Sequence, residues 1–272
     1  MPIDISAKFA FHLNEPTDLL LQFEAAVIPE QTILSSNSVM SPAIHTARVP
    51  AHDAVGERIW VRAQGDYQVE YQARVEVNRI VPDLAKLHQL DPHDLPGEAV
   101  EYLFDSRYCQ ADRMHSFVTD RFGELEGGEK ILAMCDWIAD NFTYQPGSSG
   151  PTTTALDTFV ERRGICRDYA HVMICFARAS TIPARYVSCY APGVNPPDFH
   201  AVAEVFLCDP TTPGGGAWYI VDPTGMANAS QTAKIGIGRD AADVSFLTTF
   251  GLSNFQNSDV QVSECVPDKE PC

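Results

Sequence analysis

Residues 1 to 80 are dominated by an alternation of apolar and polar side chains. From Ile3 to Phe11 the odd positions are apolar and their neighbours are mostly polar, which is the period of a strand buried on one face. Further predicted strands cover residues 19–25, 59–63 and 67–77. The last two flank Gln64 to Asp66 and give the clearest hairpin signal in the chain. We therefore predict a β-rich N-terminal domain at residues 1–80.

Prolines and acidic residues interrupt this pattern at residues 81–98. Three prolines and a glycine, Pro82, Pro92, Pro96 and Gly97, disfavour any long regular element. The segment is therefore predicted to be a linker between two domains. It also contains His88 and His93, but their spacing does not fit one face of a helix, and we predict no metal site from them.

Helical periodicity begins after the linker. Three helices are predicted before residue 165. The first runs from Arg113 to about Phe122, with Asp112 as its cap. The second covers Ile131–Phe142 after a break at Gly127-Gly128, and the third covers Ala155–Arg162 with Thr154 as its N-cap.

A further helix from Cys166 ends at Ile182-Pro183, and strands are predicted after it. The three strands cover residues 184–190, 199–207 and 217–221. Helices followed by antiparallel strands indicate an α+β arrangement, with helices packed on a sheet. We assign residues 99–264 to this core and residues 265–272 to a short polar C-terminal tail.

Charge and hydropathy exclude two classes of partner. The formal net charge is −17, which argues against binding to nucleic acid or to an anionic membrane. No apolar run approaches the ~20 residues that cross a bilayer, and the first residues lack the apolar centre of a signal peptide. The charge does not identify a substrate, and the oligomeric state stays open.

The eight cysteines show no regular spacing and no Cys-x-x-Cys pair. Several of them lie within apolar stretches. We therefore expect eight reduced thiols in a cytoplasmic protein, and neither a disulfide framework nor a zinc site.

Cys166 differs from the other cysteines because it follows Gly164 and occupies the first turn of a predicted helix. Unpaired N–H groups and the partial positive charge of a helix N-terminus favour the nucleophilic thiolate. Apolar residues at helical offsets place Cys166 on the packed side of the helix: Ala170, Met173, Ile174 and Ala177. A cysteine at such a position can also be purely structural.

The chemical interpretation of Cys166 is favoured by two later residues, His200 and Asp222. His200 begins one predicted strand, and Asp222 follows the end of the next. If these strands pair as a hairpin, the two side chains lie at the same rim of the sheet. A carboxylate beside an imidazole fixes its tautomer, and the imidazole can then activate a thiol.

Four segments of the chain resemble, in the same order, those of the transglutaminase-like superfamily of papain-type cysteine enzymes. More narrowly, they resemble a group of bacterial two-domain candidate cysteine proteases. The segments are Arg163 to His171, Arg178 to Val187, His200 to Glu204, and Trp218 to Thr224. Gly238 to Val244 also resembles a segment that this group carries after the core. The resemblance implies a papain/transglutaminase-like core preceded by a smaller β-rich domain.

The resemblance also implies roles for individual residues. Cys166 would be the nucleophile, His200 the general base and acid, and Asp222 the residue that orients the histidine. The Cys166 N–H would stabilise an oxyanion, with Tyr144 or Gln145 as candidates for the second donor. No cofactor or metal is implied.

The expected activity is cleavage of a peptide or amide bond in a peptide or protein substrate, through a Cys166 thioester. Transfer to an amine acceptor, acyl transfer from a thioester donor to an arylamine, and a non-catalytic binding role on the same fold stay open as alternatives.

Three charged neighbours of the proposed triad are interpreted as structural. Asp168 is expected to support the helix start. His171 lies about 500° around the helix from Cys166 and so faces away from the thiol. Arg185 is expected to anchor its strand through a salt bridge.

Overall fold

The computed structural model describes residues 2–209, 211 and 215–265, so most of the predicted tail lies outside the described residues. The strands are β1 (Pro2–Leu21), β2 (Gln31–Met40), β3 (His45–Pro50), β4 (Glu57–Val77), β5 (Thr143–Tyr144), β6 (Arg163–Gly164), β7 (Ala184–Tyr190), β8 (His200–Cys208), β9 (Gly216–Val221), β10 (Ala233–Gly238), β11 (Leu247–Thr249) and β12 (Asn254–Glu264). The α-helices are α1 (Gly97–Val100), α2 (His115–Phe122), α3 (Gly127–Asn141), α4 (Ala155–Glu161) and α5 (Cys166–Ala179). The α+β class predicted from the sequence is confirmed.

The N-terminal part of the chain belongs to a six-stranded sheet built on two long strands. β1 and β4 run antiparallel along nearly their whole lengths, β2 and β3 pair with β4, and β11 and β12 pair with β1. The odd-numbered side chains of β1 and β4 supply most of its buried core.

The predicted hairpin at Gln64 to Asp66 is wrong, because β4 continues through these residues as one strand. Gly65 adopts a positive φ of 83° within the strand, and the register against β1 shifts opposite it, between Leu13 and Thr17. The buried positions before and after Gly65 are all odd, so both halves bury the same face without a reversal. The glycine and the facing irregularity bend the pair of strands, as a β-bulge does.

The helical layer departs from the prediction at two helix starts. A 3₁₀ turn at Ala111–Arg113 precedes α2, whose first residue is His115, and Asp112 does not cap it. α3 begins at Gly127 instead of after the glycine pair. A Cβ at Gly127 or Gly128 would lie 2.3 Å or 1.7 Å from a backbone oxygen of the linker. These glycines therefore permit close packing against the linker.

The second sheet has the order β10-β7-β8-β9 and is antiparallel throughout. The predicted strands at 184–190, 199–207 and 217–221 are confirmed within one residue. α5 packs on one face of this sheet, and all its residues except Arg167 are buried. A helix that is buried on nearly every side is typical of a protein core. α5 is thus the central element of the core.

The chain returns to the first sheet after completing the second one. β11 pairs with Leu19 to Leu21, and β12 pairs with Ile3 to His12. The sequence assigned residues 99–264 to the core, but these last strands extend the N-terminal sheet. The division into an N-terminal domain, a linker and a core stays a prediction.

A buried ion network joins the two sheets. Glu204 on β8 is fully buried and accepts from Arg185 Nε at 2.8 Å. Lys234 on β10 contacts both Glu204 and Glu30, which follows β1. Burial alone would raise the pKa of Glu204, but Lys234 and Arg185 outweigh it and lower this pKa to about 2. The Arg185 guanidinium also lies 4.0 Å from the centre of the Trp218 ring. Arg185 is therefore an anchor of its strand, as the sequence predicted.

We expect Glu204→Gln to destabilise the fold by about 3–5 kcal/mol at pH 7, because it removes the buried carboxylate that Arg185 and Lys234 share. The difference from wild type should shrink as pH falls from 4.5 toward 2, since a depressed carboxyl pKa stabilises the folded state only where the carboxylate persists. Urea unfolding measures both effects. Exposed Glu124→Gln is the control, and a change below about 1 kcal/mol for Glu204→Gln would contradict the network's role.

Candidate active site

A cleft of about 610 Å³ contains both Cys166 and His200. Its walls come from the start of α5, from the β7 and β8 edges, and from residues 241–249 leading into β11. Cys166 is 8% exposed and His200 is 2% exposed, so both lie just beneath the cleft surface. The cleft therefore lies at the junction of the two sheets.

Cys166 is positioned by the short parallel pair β5–β6 and the first turn of α5. Thr143 and Tyr144 pair with Arg163 and Gly164, immediately before the helix. A Cβ on Gly164 would lie 2.6 Å from the Asp168 Cβ, so glycine is required by close approach. The thiol consequently occupies the helix N-terminus, where the partial positive charge favours an anion.

Asp168 fixes the geometry of this helix start. Its Oδ2 accepts from the Ile165 N–H at 2.9 Å and from the Ser149 hydroxyl at 2.5 Å. Its Oδ1 accepts from Arg167 at 2.8 Å and 3.1 Å. The carboxylate is fully buried and satisfies an N–H group that the helix itself cannot pair. These contacts support the structural role predicted for Asp168.

His200 and Asp222 meet at the rim of the second sheet, as the predicted hairpin required. His200 Nε2 lies 2.9 Å from Asp222 Oδ2, and both side chains are almost completely buried. β8 and β9 pair antiparallel, with Ala203 opposite Val221. The other imidazole nitrogen, Nδ1, is buried and has no hydrogen-bond partner among the described residues. Nδ1 is therefore the nitrogen available to the Cys166 thiol.

The Asp222 carboxylate is itself held by its own turn. Oδ1 accepts from the Thr224 N–H at 2.9 Å and from its hydroxyl at 2.7 Å. Oδ2 accepts from the Ala227 N–H at 2.8 Å in addition to His200. The Asp-Pro-Thr turn thus leaves the carboxylate a single orientation toward the imidazole.

The two groups stabilise each other's charged forms. Burial lowers the pKa of His200, but hydrogen bonding to Asp222 and interaction with the Cys166 thiol outweigh it and raise this pKa to about 9. Burial raises the pKa of Asp222, and the bonds from His200, Thr224 and Ala227 more than compensate, so it lies below its usual range. The site therefore favours an imidazolium between a carboxylate and a sulfur.

Tyr144 lies beside the same sulfur. Its hydroxyl interacts with the backbone N–H and the thiol of Cys166. Burial and the nearby thiol raise the pKa of Tyr144, so the phenol keeps its proton. Gln145, the other candidate named from the sequence, has an exposed side chain, and its backbone N–H pairs with Gly164. The structure brings Tyr144 to the thiol, but not the side chain of Gln145.

His171 lies in the core, as predicted, and has no catalytic contact. Its Nε2 accepts from the Ala241 N–H at 3.1 Å, and its ring stacks on Tyr108. Burial lowers the pKa of His171 to about 3, so the ring is neutral. It therefore helps to fix the segment that leads toward β11.

Two groups in the described part of the chain have donor atoms close enough to hold a cation. His52, Asp53 and Glu101 form one, and Asp91, His93 and Asp94 form the other. The Asp53 carboxylate already accepts from the Tyr102 hydroxyl at 2.6 Å. Neither group lines the cleft that contains Cys166.

Several supporting residues could not be identified from the sequence. Ser149 and Ala227 act through one hydroxyl and one backbone N–H, and neither belongs to a motif with a chemical signature. Thr224 could have been found, since Asp-Pro-Thr predicts a turn in which the aspartate accepts from the residue two positions later.

We expect the imidazole of His200 to titrate with a pKa near 9, and Asp222→Asn to lower this pKa, because burial is then opposed by Cys166 alone. Cys166→Ala should lower it as well. Carbon-13 NMR of labelled histidines gives the titration, and His200→Gln assigns the resonance among the eight histidines. A wild-type midpoint near 6.5 would contradict the proposed charge coupling.

Comparison with known proteins finds a matching family model and a similar solved structure. A family model described as "Transglutaminase-like superfamily" matches residues 108–223, which include the three residues of the proposed triad. A protein from Cytophaga hutchinsonii, described as a candidate cysteine protease and solved by crystallography, is 32% identical. The match covers 100% of this chain and 93% of that one, with a TM-score of 0.88.

Mycobacterial relatives match a smaller part of the chain. An uncharacterized protein of Mycobacterium tuberculosis is 30% identical over 195 residues, which cover 67% of this chain and 62% of that protein. An uncharacterized protein of Mycobacterium leprae is 30% identical over 120 residues, covering 44% of this chain and 43% of its own. The chain thus spans less than two thirds of the length of these relatives. From the full-length structural match and the family model, this chain belongs to the transglutaminase-like superfamily.

Proposed function

We propose that this protein is a cysteine hydrolase that cleaves a peptide or amide bond through a thioester on Cys166. The proposal is supported above all by one cleft, which contains a thiol at a helix N-terminus and an imidazole hydrogen-bonded to a buried carboxylate. The three residues come from separate elements, α5, β8 and the turn after β9. An arrangement of this kind supports nucleophilic catalysis.

In the first half of the reaction, the Cys166 thiolate attacks the carbonyl carbon of the scissile bond. A carbon–sulfur bond forms, and the carbonyl electrons move to its oxygen. The His200 imidazolium then gives its proton to the leaving nitrogen as the carbon–nitrogen bond breaks. An amine departs and a thioester is left on Cys166. Asp222 holds Nε2 throughout, so that Nδ1 faces the reacting atoms.

In the second half, neutral His200 accepts a proton from water as the water oxygen attacks the thioester. The carbon–sulfur bond breaks, which returns the thiolate and the imidazolium and releases a carboxylic acid. A pKa of His200 near 9 keeps the imidazolium populated at neutral pH for the first half. Rates should therefore decline above pH 9, where the proton donor is lost.

The oxyanion of each tetrahedral intermediate needs preorganised donors. The Cys166 N–H is one, and the proposal assigns the Tyr144 hydroxyl as the other. In the free protein these two groups lie next to each other. A substrate carbonyl oxygen between them would accept a hydrogen bond from both.

A peptide or protein is the proposed substrate class, and water the proposed acceptor. The neighbour from Cytophaga hutchinsonii is described as a candidate cysteine protease, which supports both.

No helix in the described part of the chain is long and apolar enough to span a bilayer. The seven cysteines among the described residues are unpaired. Free thiols suit a reducing compartment, and we place the protein in the cytoplasm.

Incubation with a library of peptides and amides should yield hydrolysed products that Cys166→Ala does not form. Mass spectrometry distinguishes the acceptor, because water adds a different mass from that of an added primary amine. Asp222→Asn should retain weak activity with its alkaline limb shifted below pH 9, since the pKa of His200 falls. Incorporation of the amine in place of water would show that the reaction is amine transfer and not hydrolysis. If the Cys166 thiol reacts with iodoacetamide no faster than the other cysteines, its assignment as the nucleophile is wrong.

Tyr144→Phe should lower kcat by about 10²-fold and leave KM nearly unchanged, because an oxyanion donor acts in the transition state. Tyr169→Phe is the matched control, since its ring packs beside Tyr144 while burial alone raises the pKa of Tyr169, without a contribution from Cys166. Steady-state kinetics on a peptide from the library separate the two constants. An unchanged or increased kcat for Tyr144→Phe would show that the phenol covers the Cys166 N–H and does not assist the reaction.

A further inference from the structure

The three-residue strand β11 forms one wall of the cleft that contains Cys166. Leu247, Thr248 and Thr249 all line this cavity. Phe246, just before β11, stacks on Phe199, just before His200, with ring centres 4.6 Å apart and planes 11° apart. Because successive residues of a strand advance by about 3.4 Å, this contact holds the beginning of β11 beside the catalytic rim.

Within the described residues, β11 pairs along one edge, with β1. The Gln22 N–H donates to the Phe246 oxygen, and the Phe250 N–H donates to the Asp18 oxygen. With Leu20 opposite Thr248, the hydrogen-bonded residues of β11 are the even-numbered ones. Backbone groups alternate in direction along an antiparallel ladder. Leu247 and Thr249 therefore direct their N–H and C=O groups away from β1.

The outward groups are mostly unpaired within the described residues. The Leu247 oxygen accepts from the Ser245 hydroxyl at 2.8 Å. The Leu247 N–H and both backbone groups of Thr249 have no such partner in the described part of the chain. An open strand edge is a template for another extended backbone. Here that edge borders the reactive thiol.

Exposed apolar side chains continue from this edge. Phe250 is 62% exposed and Leu252 is 82% exposed, in the segment directly after β11. In an added strand every second side chain faces the same way, so apolar contacts at one end can select alternate residues. The surface thus offers both backbone groups and side-chain contacts to an extended chain.

We propose that the substrate binds as an extended peptide that adds a strand to the free edge of β11. The outward groups of Leu247 and Thr249 hydrogen-bond its backbone, and this places the scissile bond over Cys166. The inference rests on the proposed function in taking the peptide as substrate. It adds that the N-terminal sheet, through β11, supplies the binding surface for the catalytic core.

The test uses the Cys166→Ala protein, which binds without turnover. A library of twelve-residue peptides is passed over this immobilised protein, and the tightest-binding peptide is synthesised with a single N-methyl group at each position in turn. Loss of one backbone donor should weaken binding by about fivefold to tenfold. Strand addition predicts that such losses recur at every second residue over the paired stretch, as measured by calorimetry.

Substitution of the edge provides an independent measurement. Leu247→Pro and Thr249→Pro each remove one outward N–H without removing a bond to β1, and proline is tolerated where the N–H of an edge strand faces solvent. Each substitution should weaken binding of the same peptide by about fivefold to tenfold. Thr46→Pro makes the equivalent change on β3, which does not line the cleft, and should leave affinity unchanged. Circular dichroism verifies that the variants fold.

The outcomes separate the two proposals. N-methylation effects without a two-residue period, or a library from which the protein retains no peptide, would overturn binding at β11, whatever the catalytic result. A two-residue period with no hydrolysis of that peptide by wild-type protein would support strand addition and overturn the hydrolase proposal.

Discussion

The site depends on placing the N-terminus of a buried helix beside the rim of a sheet. α5 is enclosed on almost every side, and each fully buried aliphatic or aromatic side chain contributes about 1.5–3 kcal/mol to its packing. This packing leaves the helix little freedom to slide or rotate, so the thiol in its first turn has a fixed position. Asp168 adds the local constraint, because its carboxylate ties the helix start to the loop at Ser149. The reactivity proposed for Cys166 thus follows from core packing as much as from its neighbours.

The sequence was informative wherever periodicity and burial agree. The strands at 184–190, 199–207 and 217–221 are buried along nearly their whole lengths, and their apolar runs were recognisable. The juxtaposition of His200 with Asp222 followed from pairing two of these strands. The capping box of α4 was equally readable, since Thr154 and Asp157 exchange hydrogen bonds as that motif requires. In these cases local residue types and tertiary structure favour the same conformation.

The sequence was uninformative where strands are exposed or where a group acts at long range. β12 buries only Val260 among its eleven residues, so it carries no alternating pattern and was not predicted. β2 was not predicted for the same reason, because it is exposed over most of its length. Tyr144 was one of two neighbouring candidates, and only the pairing of β5 with β6 determines which side chain reaches the thiol. At Gly65, a local turn signal was overridden by a buried face that continues in phase on both sides.

The pairing of β12 with β1 also determines the order in which the molecule can be completed. Ile3 lies opposite Glu264, so residues near the start of β1 wait for a partner that follows the entire second sheet. Until then β1 can pair with β4 but exposes its other edge, and an exposed edge invites pairing with another chain. Contacts of such large sequence separation form late, after their loop-closure entropy has been overcome. During synthesis this edge of β1 therefore stays open until β12 has been made, and that is the stage at which assistance by a chaperone would matter most.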